Sequence, residues 1–255
     1  MSVLSYLQRR SAQAILSGKE EESIKTSISA LGYRLTLLFG SELAEQFRFG
    51  SSTRGTILPR SMDEHSDIDY MVVFADASLA PQTYLDRLRR FAETYYASSA
   101  IKQSSPTIVL ELNHIKFDLV PALKGWWSGY KIVDGQGGWR DTDPNDFNNT
   151  LTAKNNSCNS LIKPTIRLLK LWNAANGYVF ESFGLEKWVV GRSYWLCSNL
   201  RDYVFEVFDN LPQTGIQWRD ERIQRAKNIL NQTRAYERMG VVALAESEIK
   251  KLIPE

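Results

Sequence analysis

The stretch that most constrains this chain is an Asp-Ile-Asp triplet at 67–69, followed at once by the apolar run 70–74. A short run rich in valine and aromatic residues predicts a buried strand. Because side chains alternate along a strand, Asp67 and Asp69 are expected to lie on one face. Two carboxylates side by side repel each other unless a cation lies near them. The stretch therefore predicts a strand that begins at a cation-binding position.

A turn rich in glycine and hydroxyl residues, Phe-Gly-Ser-Ser-Thr-Arg-Gly-Thr at 49–56, precedes the triplet. Small residues let backbone N–H groups approach and bind a phosphate. Carboxylates beside bound phosphates are the usual ligands of Mg²⁺ in proteins. An Asp-x-Asp pair alone is also common at ordinary turns, but the turn and the strand together favour a magnesium and phosphate site.

A third carboxylate, Asp118, lies in the alternating run 115–120. On its own it is typical of an acidic residue that faces solvent at a strand end. Together with Asp67 and Asp69 it can converge on a pair of cations about 3.5–4 Å apart, the arrangement that supports in-line nucleotidyl displacement. The three carboxylates predict a site for two Mg²⁺ ions, for which Mn²⁺ can substitute.

The composition excludes several other classes of site. The chain has 255 residues, with 31 Lys and Arg against 29 Asp and Glu, so any basic surface must be local. Two histidines cannot build a histidine-rich zinc site, and the distant Cys158 and Cys197 do not indicate a disulfide framework. No apolar run has the length of a signal peptide core or a membrane span, so we expect a cytoplasmic protein without a membrane segment.

The periodicity of apolar residues predicts an α+β fold. Helices are predicted over 2–17, 20–39, 41–46 and 81–96, and further strands over 107–112 and 115–120. From about residue 155 the pattern is helical throughout. We therefore expect a small mixed sheet with helices on one side, a C-terminal helical domain, and a cleft between them. The predicted domains are 1–145, with the carboxylates and the N-terminal helices, and 146–255.

The order Gly50-Ser51, Asp67-Ile68-Asp69 and Asp118 resembles the polymerase-beta-like nucleotidyltransferase superfamily. Finer features are similar to the bacterial CD-NTase group, whose domain is called SMODS, and the resemblance runs from about residue 20 to 195. These features are Arg54-Gly55-Thr56, Asp143-Pro144 after Trp139, the helix 167–173, and Ser182-Phe183-Gly184-Leu185-Glu186. The spacer between the Gly-Ser turn and the Asp pair is longer than the family pattern.

The resemblance implies a metal-dependent enzyme that joins NTPs or dNTPs into cyclic or short linear oligonucleotides and releases pyrophosphate. Such an enzyme would act in bacterial antiphage defence through an effector protein that senses the product. By the same resemblance, Asp67 and Asp69 bind both metal ions and Asp118 helps to activate the acceptor hydroxyl. The implied nucleotide-binding residues are Gly50, Ser51, Arg54, Arg167, Lys170 and Ser182.

The spacing of cationic residues supports part of this assignment. Lys163, Arg167 and Lys170 are four and three residues apart, so they share one face of a helix. A cationic stripe that faces the cleft would suit a triphosphate. For Lys163 alone, a solvated helix face is the simpler interpretation.

Two further readings of the sequence stay open. The same site could transfer a nucleotide to tRNA, a protein or a small molecule, and a catalytically silent nucleotide- or RNA-binding module is the alternative outside enzymes. Trp126, Trp127 and Trp139 could stack on the base of a nucleic-acid acceptor, although packing within the fold is the simpler prediction.

Overall fold

The computed structural model describes residues 1–104, 106–125 and 128–255 of the chain. The elements up to residue 142 are α1 (Val3–Gln13), α2 (Gly18–Phe39), β1 (Leu43–Phe49), α3 (Ser51–Arg54), β2 (Asp67–Phe74), α4 (Pro81–Tyr95), β3 (Ala100–Ser104), β4 (Thr107–Glu111), β5 (Lys116–Lys124), β6 (Tyr130–Val133) and β7 (Trp139–Thr142). The later elements are α5 (Asp146–Ser157), α6 (Ile162–Ala175), α7 (Ser182–Gly191), α8 (Leu200–Asp209), α9 (Gln217–Arg238) and α10 (Val242–Leu252).

The chain forms two compact units. The sheet unit consists of Leu16–Arg60 and Glu64–Asn149, and the helical unit of Met1–Ile15, Ser61–Asp63 and Thr150–Glu255. This division differs from the predicted one, because α1 belongs to the helical unit. Its Tyr6 and Leu7 are fully buried, and α1 packs against α6, α8 and α10.

The sheet is mixed, as the sequence predicts. Its strand order is β1-β2-β5-β4-β3, with β6 pairing β5 and β7 pairing β6. Strands β2 and β5 run parallel, and the other described pairs are antiparallel. The two strands that carry the three predicted carboxylates are therefore direct neighbours that point the same way.

Alternation along β2 and β5 gives the sheet one apolar face and one face that is partly charged. The apolar face packs against α2 and α4, and its residues are Ile68, Tyr70, Val72, Phe74, Phe117, Leu119 and Leu123. The opposite face begins with the charged residues of both strands and continues into a smaller apolar cluster of Met71, Val73, Val120, Ala122 and Ile132. The position of the carboxylates thus follows from burial of the residues between them.

Helix α2 shows how the sequence fixes these elements locally. It begins with a capping box, in which Ser17 Oγ accepts from Glu20 N at 3.3 Å and Glu20 Oε2 accepts from Ser17 N at 2.8 Å. Its buried residues, spaced at helical intervals, are Ile24, Leu31, Leu35 and Phe39.

The predicted short helix over 41–46 is wrong. A 3₁₀ turn at Gly40–Glu42 leads into strand β1, which pairs antiparallel with β2 from Leu43 opposite Phe74 to Phe49 opposite Asp69. The residues after Ser41 favour a helix locally, but β2 is buried and its open edge needs hydrogen-bond partners. Tertiary pairing therefore overrides the local preference.

The predictions for Trp126, Trp127 and Trp139 have different outcomes. Trp139 lies in β7 and packs on the main core, with its ring 5.5 Å from that of Tyr84 in an edge-to-face contact. Packing is therefore confirmed for Trp139, whereas Trp126 and Trp127 lie outside the described residues. Among the helices in the described ranges, none is both long and apolar enough to cross a membrane.

The helical unit is held together by apolar packing and by contacts between the two ends of the chain. Trp172 of α6 and Phe208 of α8 are buried with their rings 5.4 Å apart in an edge-to-face contact. Tyr6 of α1 donates its hydroxyl to the carbonyl of Ile253 at 2.5 Å, inside the unit. Helix α1 is therefore a structural part of the unit's core.

We predict that Tyr6→Phe lowers the free energy of unfolding by about 1–3 kcal/mol, because the Ile253 carbonyl would stay buried without its donor. Urea titration followed by circular dichroism measures the change. Tyr33→Phe is the control, since Tyr33 is 70% exposed and its substitution should change stability by less than about 0.5 kcal/mol. Equal effects of the two substitutions would contradict a stabilising role for the hydrogen bond from Tyr6 to Ile253.

Candidate active site

The parallel pairing of β2 and β5 brings four charged side chains together at the start of both strands. In the register of this pair, Asp67 lies beside Lys116 and Asp69 lies beside Asp118. All four belong to the face opposite the main core, because Ile68 and Phe117 between them point into that core. Three carboxylates and one ammonium group therefore share a small area of the sheet.

Lys116 forms ion pairs with two of these carboxylates. Its Nζ lies 3.1 Å from Asp67 Oδ2 and 3.7 Å from Asp118 Oδ1. Burial alone would lower the pKa of Lys116, but Asp67 and Asp118 outweigh burial and raise the pKa. The lysine therefore carries its positive charge in the site.

The surroundings of Asp118 are unfavourable for a charged carboxylate. Burial, followed by repulsion from Asp67, raises its pKa to about 6, although Lys116 opposes the shift. Within the described part of the chain, its buried Oδ1 has no hydrogen-bond partner, only the ion pair with Lys116 at 3.7 Å. A carboxyl group with this pKa can accept a proton near neutral pH and can also ligate a cation.

Gly50 brings the Gly-Ser turn against this carboxylate cluster. Phe49 at the end of β1 is the register partner of Asp69, so Gly50 follows directly at the site. Gly50 has φ +73°, and a Cβ built on it would lie 1.9 Å from Asp69 Oδ2. A side chain at position 50 would collide with the carboxylate, which is why the turn needs glycine here.

Hydroxyl groups and one buried arginine stabilise the turn. Ser52 Oγ donates to the carbonyl of Phe49 at 3.0 Å, and Thr53 Oγ1 donates to that of Gly50 at 2.9 Å. Arg54 is buried, and its guanidinium lies 5.7 Å from the centre of the Phe147 ring. Ser51 is half-buried at the first position of α3, beside Gly50. The structure thus brings Gly50 to the carboxylates with Ser51 next to it, and places the Arg54 guanidinium over the ring of Phe147.

The other three predicted residues lie in the helical unit. Arg167 and Lys170 of α6 are buried, and Lys170 Nζ forms an ion pair with Glu186 Oε1 of α7 at 3.5 Å. Glu186 is only 1% exposed, so it gives the lysine a buried counter-charge. Burial lowers the pKa of Arg167. The cationic helix face predicted from the sequence is therefore buried at Arg167 and Lys170. Ser182, at the start of α7, is exposed.

The chemistry of the carboxylates fits a hard divalent cation. Each supplies oxygen ligands, Asp118 Oδ1 makes no hydrogen bond among the described residues, and Gly50 leaves room for the Asp69 carboxylate. Within residues 1–104, 106–125 and 128–255, however, no three His, Cys, Asp or Glu side chains are gathered as a ready-made metal site. The Lys116 ammonium lies within 3.1 Å of Asp67 Oδ2 and 3.7 Å of Asp118 Oδ1.

Sequence reasoning missed two charged residues that shape these regions. Lys116 could have been found, because it stands two positions before Asp118 in an alternating strand and so shares its face. Glu186 could not have been paired with Lys170 from periodicity alone, because the contact depends on how α6 packs against α7.

Comparison with known proteins gives the class and the family to which this fold belongs. Residues 1–155 match the family described as the Second Messenger Oligonucleotide or Dinucleotide Synthetase domain, SMODS. The match covers more than half of the chain, so the chain belongs to this family and to the CD-NTase class of nucleotidyltransferases. The family predicted from the sequence is confirmed.

Individual relatives agree with this assignment. A probable cyclic nucleotide synthase of Bacillus cereus (strain VD146) is 29% identical over 103 residues, which cover 37% of this chain and 31% of that protein. The match thus spans about a third of the curated relative.

Solved structures resemble the whole chain. Vibrio cholerae DncV cyclic AMP-GMP synthase, in complex with the linear intermediate 5′ pppA(3′,5′)pG, has a TM-score of 0.78 and 11% identity, with 100% of this chain and 96% of that chain covered. E. coli MS115-1 CdnC with ATP has a TM-score of 0.73 and 15% identity, with 100% and 98% covered. At these identities the likeness shows a common fold, and it confirms the predicted fold class.

We predict that Gly50→Ala lowers nucleotidyl-transfer activity by about 100-fold, because the new methyl group displaces the Asp69 carboxylate. Product formation from labelled NTPs measures the loss. Gly40→Ala is a matched control, since Gly40 also has positive φ, +52°, but a Cβ there meets nothing within 4 Å. Both substitutions should cost about 1–3 kcal/mol of stability from the backbone alone, because ψ is −153° at Gly50 and −122° at Gly40, which side chains other than glycine rarely adopt at positive φ. An equal loss of activity in both variants would contradict the steric explanation.

A second prediction concerns the pH dependence of stability without metal. The pKa of Asp118 is about 6 in the folded protein and about 3.9 in an unfolded chain, so its stabilising contribution is complete below about pH 4 and is lost as the pH rises through 6. Asp118→Asn stays neutral and should therefore stabilise the protein at pH 8, on the order of 1–3 kcal/mol, and much less at pH 4.5.

Urea titrations in EDTA at the two pH values measure this difference. The exposed Asp141→Asn serves as the control and should leave the difference between the two pH values near that of the wild type. A destabilisation by Asp118→Asn that is equal at both pH values would contradict the raised pKa.

Proposed function

We propose that this chain is a metal-dependent nucleotidyltransferase that joins NTPs or dNTPs into cyclic or short linear oligonucleotide signals. Pyrophosphate is the second product. The proposal rests on membership of the SMODS family and on the likeness to synthases of cyclic nucleotides.

One observation carries the proposal: the register that sets Asp69 beside Asp118, with Asp67 on the same face. Three carboxylates on one face are costly for a fold unless they serve to bind a cation. Gly50 and Ser51 add a turn of small residues directly beside Asp69, where a phosphate group can approach the backbone.

In the proposed reaction, a ribose hydroxyl of the acceptor attacks the α-phosphorus of the donor NTP. A new P–O bond forms, the bond between the α-phosphorus and the bridging oxygen to the β-phosphate breaks, and pyrophosphate leaves with that oxygen. The proton of the hydroxyl would pass to the carboxylate of Asp118, which lies beside Asp69 on the same face of the sheet.

Two bound Mg²⁺ ions, or Mn²⁺ in their place, would supply charge neutralisation for the triphosphate and the leaving group. Asp67 and Asp69 would hold the ions together with Asp118. Ser51 would bind the donor triphosphate at the turn that begins with Gly50. Arg54, buried against Phe147, would stabilise that turn.

The roles proposed for the helical unit come from the resemblance of its motifs. Arg167 and Lys170 would meet phosphates of the donor, and Ser182 would lie near its nucleoside. The ion pair with Glu186 supports a defined position for the Lys170 ammonium rather than a mobile one.

The product would act on a downstream effector protein in antiphage defence, and the need for NTPs would place the enzyme in the cytoplasm. A nucleic-acid acceptor such as tRNA is the alternative for the same chemistry, and a catalytically silent nucleotide- or RNA-binding module is the alternative outside enzymes. Both are outcomes of the test below.

The test incubates the full-length chain with each labelled NTP and dNTP, with Mg²⁺ or Mn²⁺, and with or without tRNA. We expect a small labelled product that needs metal, and its resistance to phosphatase would indicate a cyclic form. Asp67→Asn and Asp69→Asn should each lower its formation by at least about 100-fold. Asp141→Asn, an exposed carboxylate on β7, should retain activity.

Label that moves only to tRNA or to the protein band would replace oligonucleotide synthesis with transfer to another acceptor. If wild type and Asp67→Asn alike give no product under any of these conditions, the chain is not a nucleotidyltransferase and a binding module becomes the better reading.

A further inference from the structure

Building on the proposed function, we propose that Lys116 is an internal counter-ion of the carboxylate cluster. Its ammonium group holds the aspartates in place when no metal is bound and competes with the metal cation for them. Lys116 is in this sense a positioning residue that sets metal affinity, and it acts through Asp67 and Asp118.

The backbone fixes the lysine at the carboxylates. Lys116 is the register neighbour of Asp67 on β2 and stands two residues before Asp118 on its own strand. Its Nζ lies 3.1 Å from Asp67 Oδ2 and 3.7 Å from Asp118 Oδ1. The side chains of Lys116, Asp67 and Asp118 are 20%, 28% and 19% exposed, so solvent screens these charges less than on an open surface.

The other acidic neighbour of Lys116 already has a cation. On the opposite side of β5, Glu111 of β4 is the register partner of Lys116. Arg60 Nη2 donates to Glu111 Oε1 at 2.9 Å and to the carbonyl of Glu64 at 3.1 Å. Because Arg60 neutralises Glu111, the ammonium of Lys116 is directed to the aspartates.

The type of residue suits an exchangeable counter-ion. A lysine ammonium is a single point charge on a flexible four-carbon stem, so it can move aside without a change in the backbone. Removing the charge would take from Asp67 and Asp118 the ion-pair partner that they share, which destabilises the metal-free site. The same removal would take away a competitor, so a divalent cation should bind more tightly.

The experiment compares wild type with Lys116→Met, which keeps the length of the side chain but not its charge. Mn²⁺ binding to the full-length chain is measured by calorimetry and by the electron paramagnetic resonance of free Mn²⁺, without nucleotide. We expect Lys116→Met to bind Mn²⁺ about 10-fold more tightly. In EDTA it should melt several degrees below wild type, and saturating Mn²⁺ should abolish that difference.

Lys124→Met is the matched control, because it removes the same charge from the other end of the same strand. Lys124 is 63% exposed and lies 3.9 Å from Glu45, away from the aspartates. Its substitution should change neither Mn²⁺ affinity nor the melting temperature in EDTA. Lys116→Arg keeps the charge and should bind Mn²⁺ no more tightly than wild type.

If Lys116→Met does not fold in EDTA, Lys116→Met combined with Asp118→Asn takes its place. Removing a carboxylate together with the lysine should recover folding, and failure to recover it would count against the proposal. Mn²⁺ affinity in Lys116→Met that equals or falls below that of wild type would overturn it, as would an absence of Mn²⁺ binding in both proteins.

These outcomes are separable from those for the proposed function. A wild-type chain that makes metal-dependent product, with no gain of affinity in Lys116→Met, overturns only the role of Lys116. A wild-type chain that makes no product overturns the proposed function, whatever Lys116→Met does to Mn²⁺ binding.

Discussion

The parallel pairing of β2 with β5 is the interaction on which the rest of the site depends. It sets Asp69 beside Asp118 and Asp67 beside Lys116, and it does so only in the observed register. A slip by one residue would turn Ile68 and Phe117 out of the main core and bury carboxylates in their place. Burial of apolar residues against α2 and α4 therefore fixes the register of the candidate site.

Placing carboxylates side by side costs electrostatic free energy, and cations next to them offset part of it. Asp118 is buried beside Asp67, and its raised pKa reports that cost. The Lys116 ammonium offsets part of it, and Arg60 does the same for Glu111 one strand further along the sheet. Alternating charge across three strands thus lets an acidic site persist beside the buried apolar residues of β2 and β5.

Much of this region could be predicted from the sequence because it depends on local alternation. Alternation within 67–69 places Asp67 and Asp69 on one face of a strand, and alternation along 115–120 places Asp118 on the face opposite Phe117. That these two strands are neighbours depends on pairing between residues distant in sequence. The segment 41–46 could not be assigned in the same way, since its local helix preference yields to pairing with β2, a contact distant in sequence. The pairing of Lys170 with Glu186 and the association of α1 with the helical unit likewise depend on packing between elements.

The way the chain is divided between its units has a consequence for how such proteins can vary. The helical unit is assembled from three separate stretches, Met1–Ile15, Ser61–Asp63 and Thr150–Glu255. A single genetic crossover near residue 150 would join a first helix from one parent to packing partners from the other, including the contact of Tyr6 with Ile253. Neither unit is therefore one continuous segment that recombination could exchange as a whole. The sequences of such proteins must diverge largely by substitutions that keep both units together.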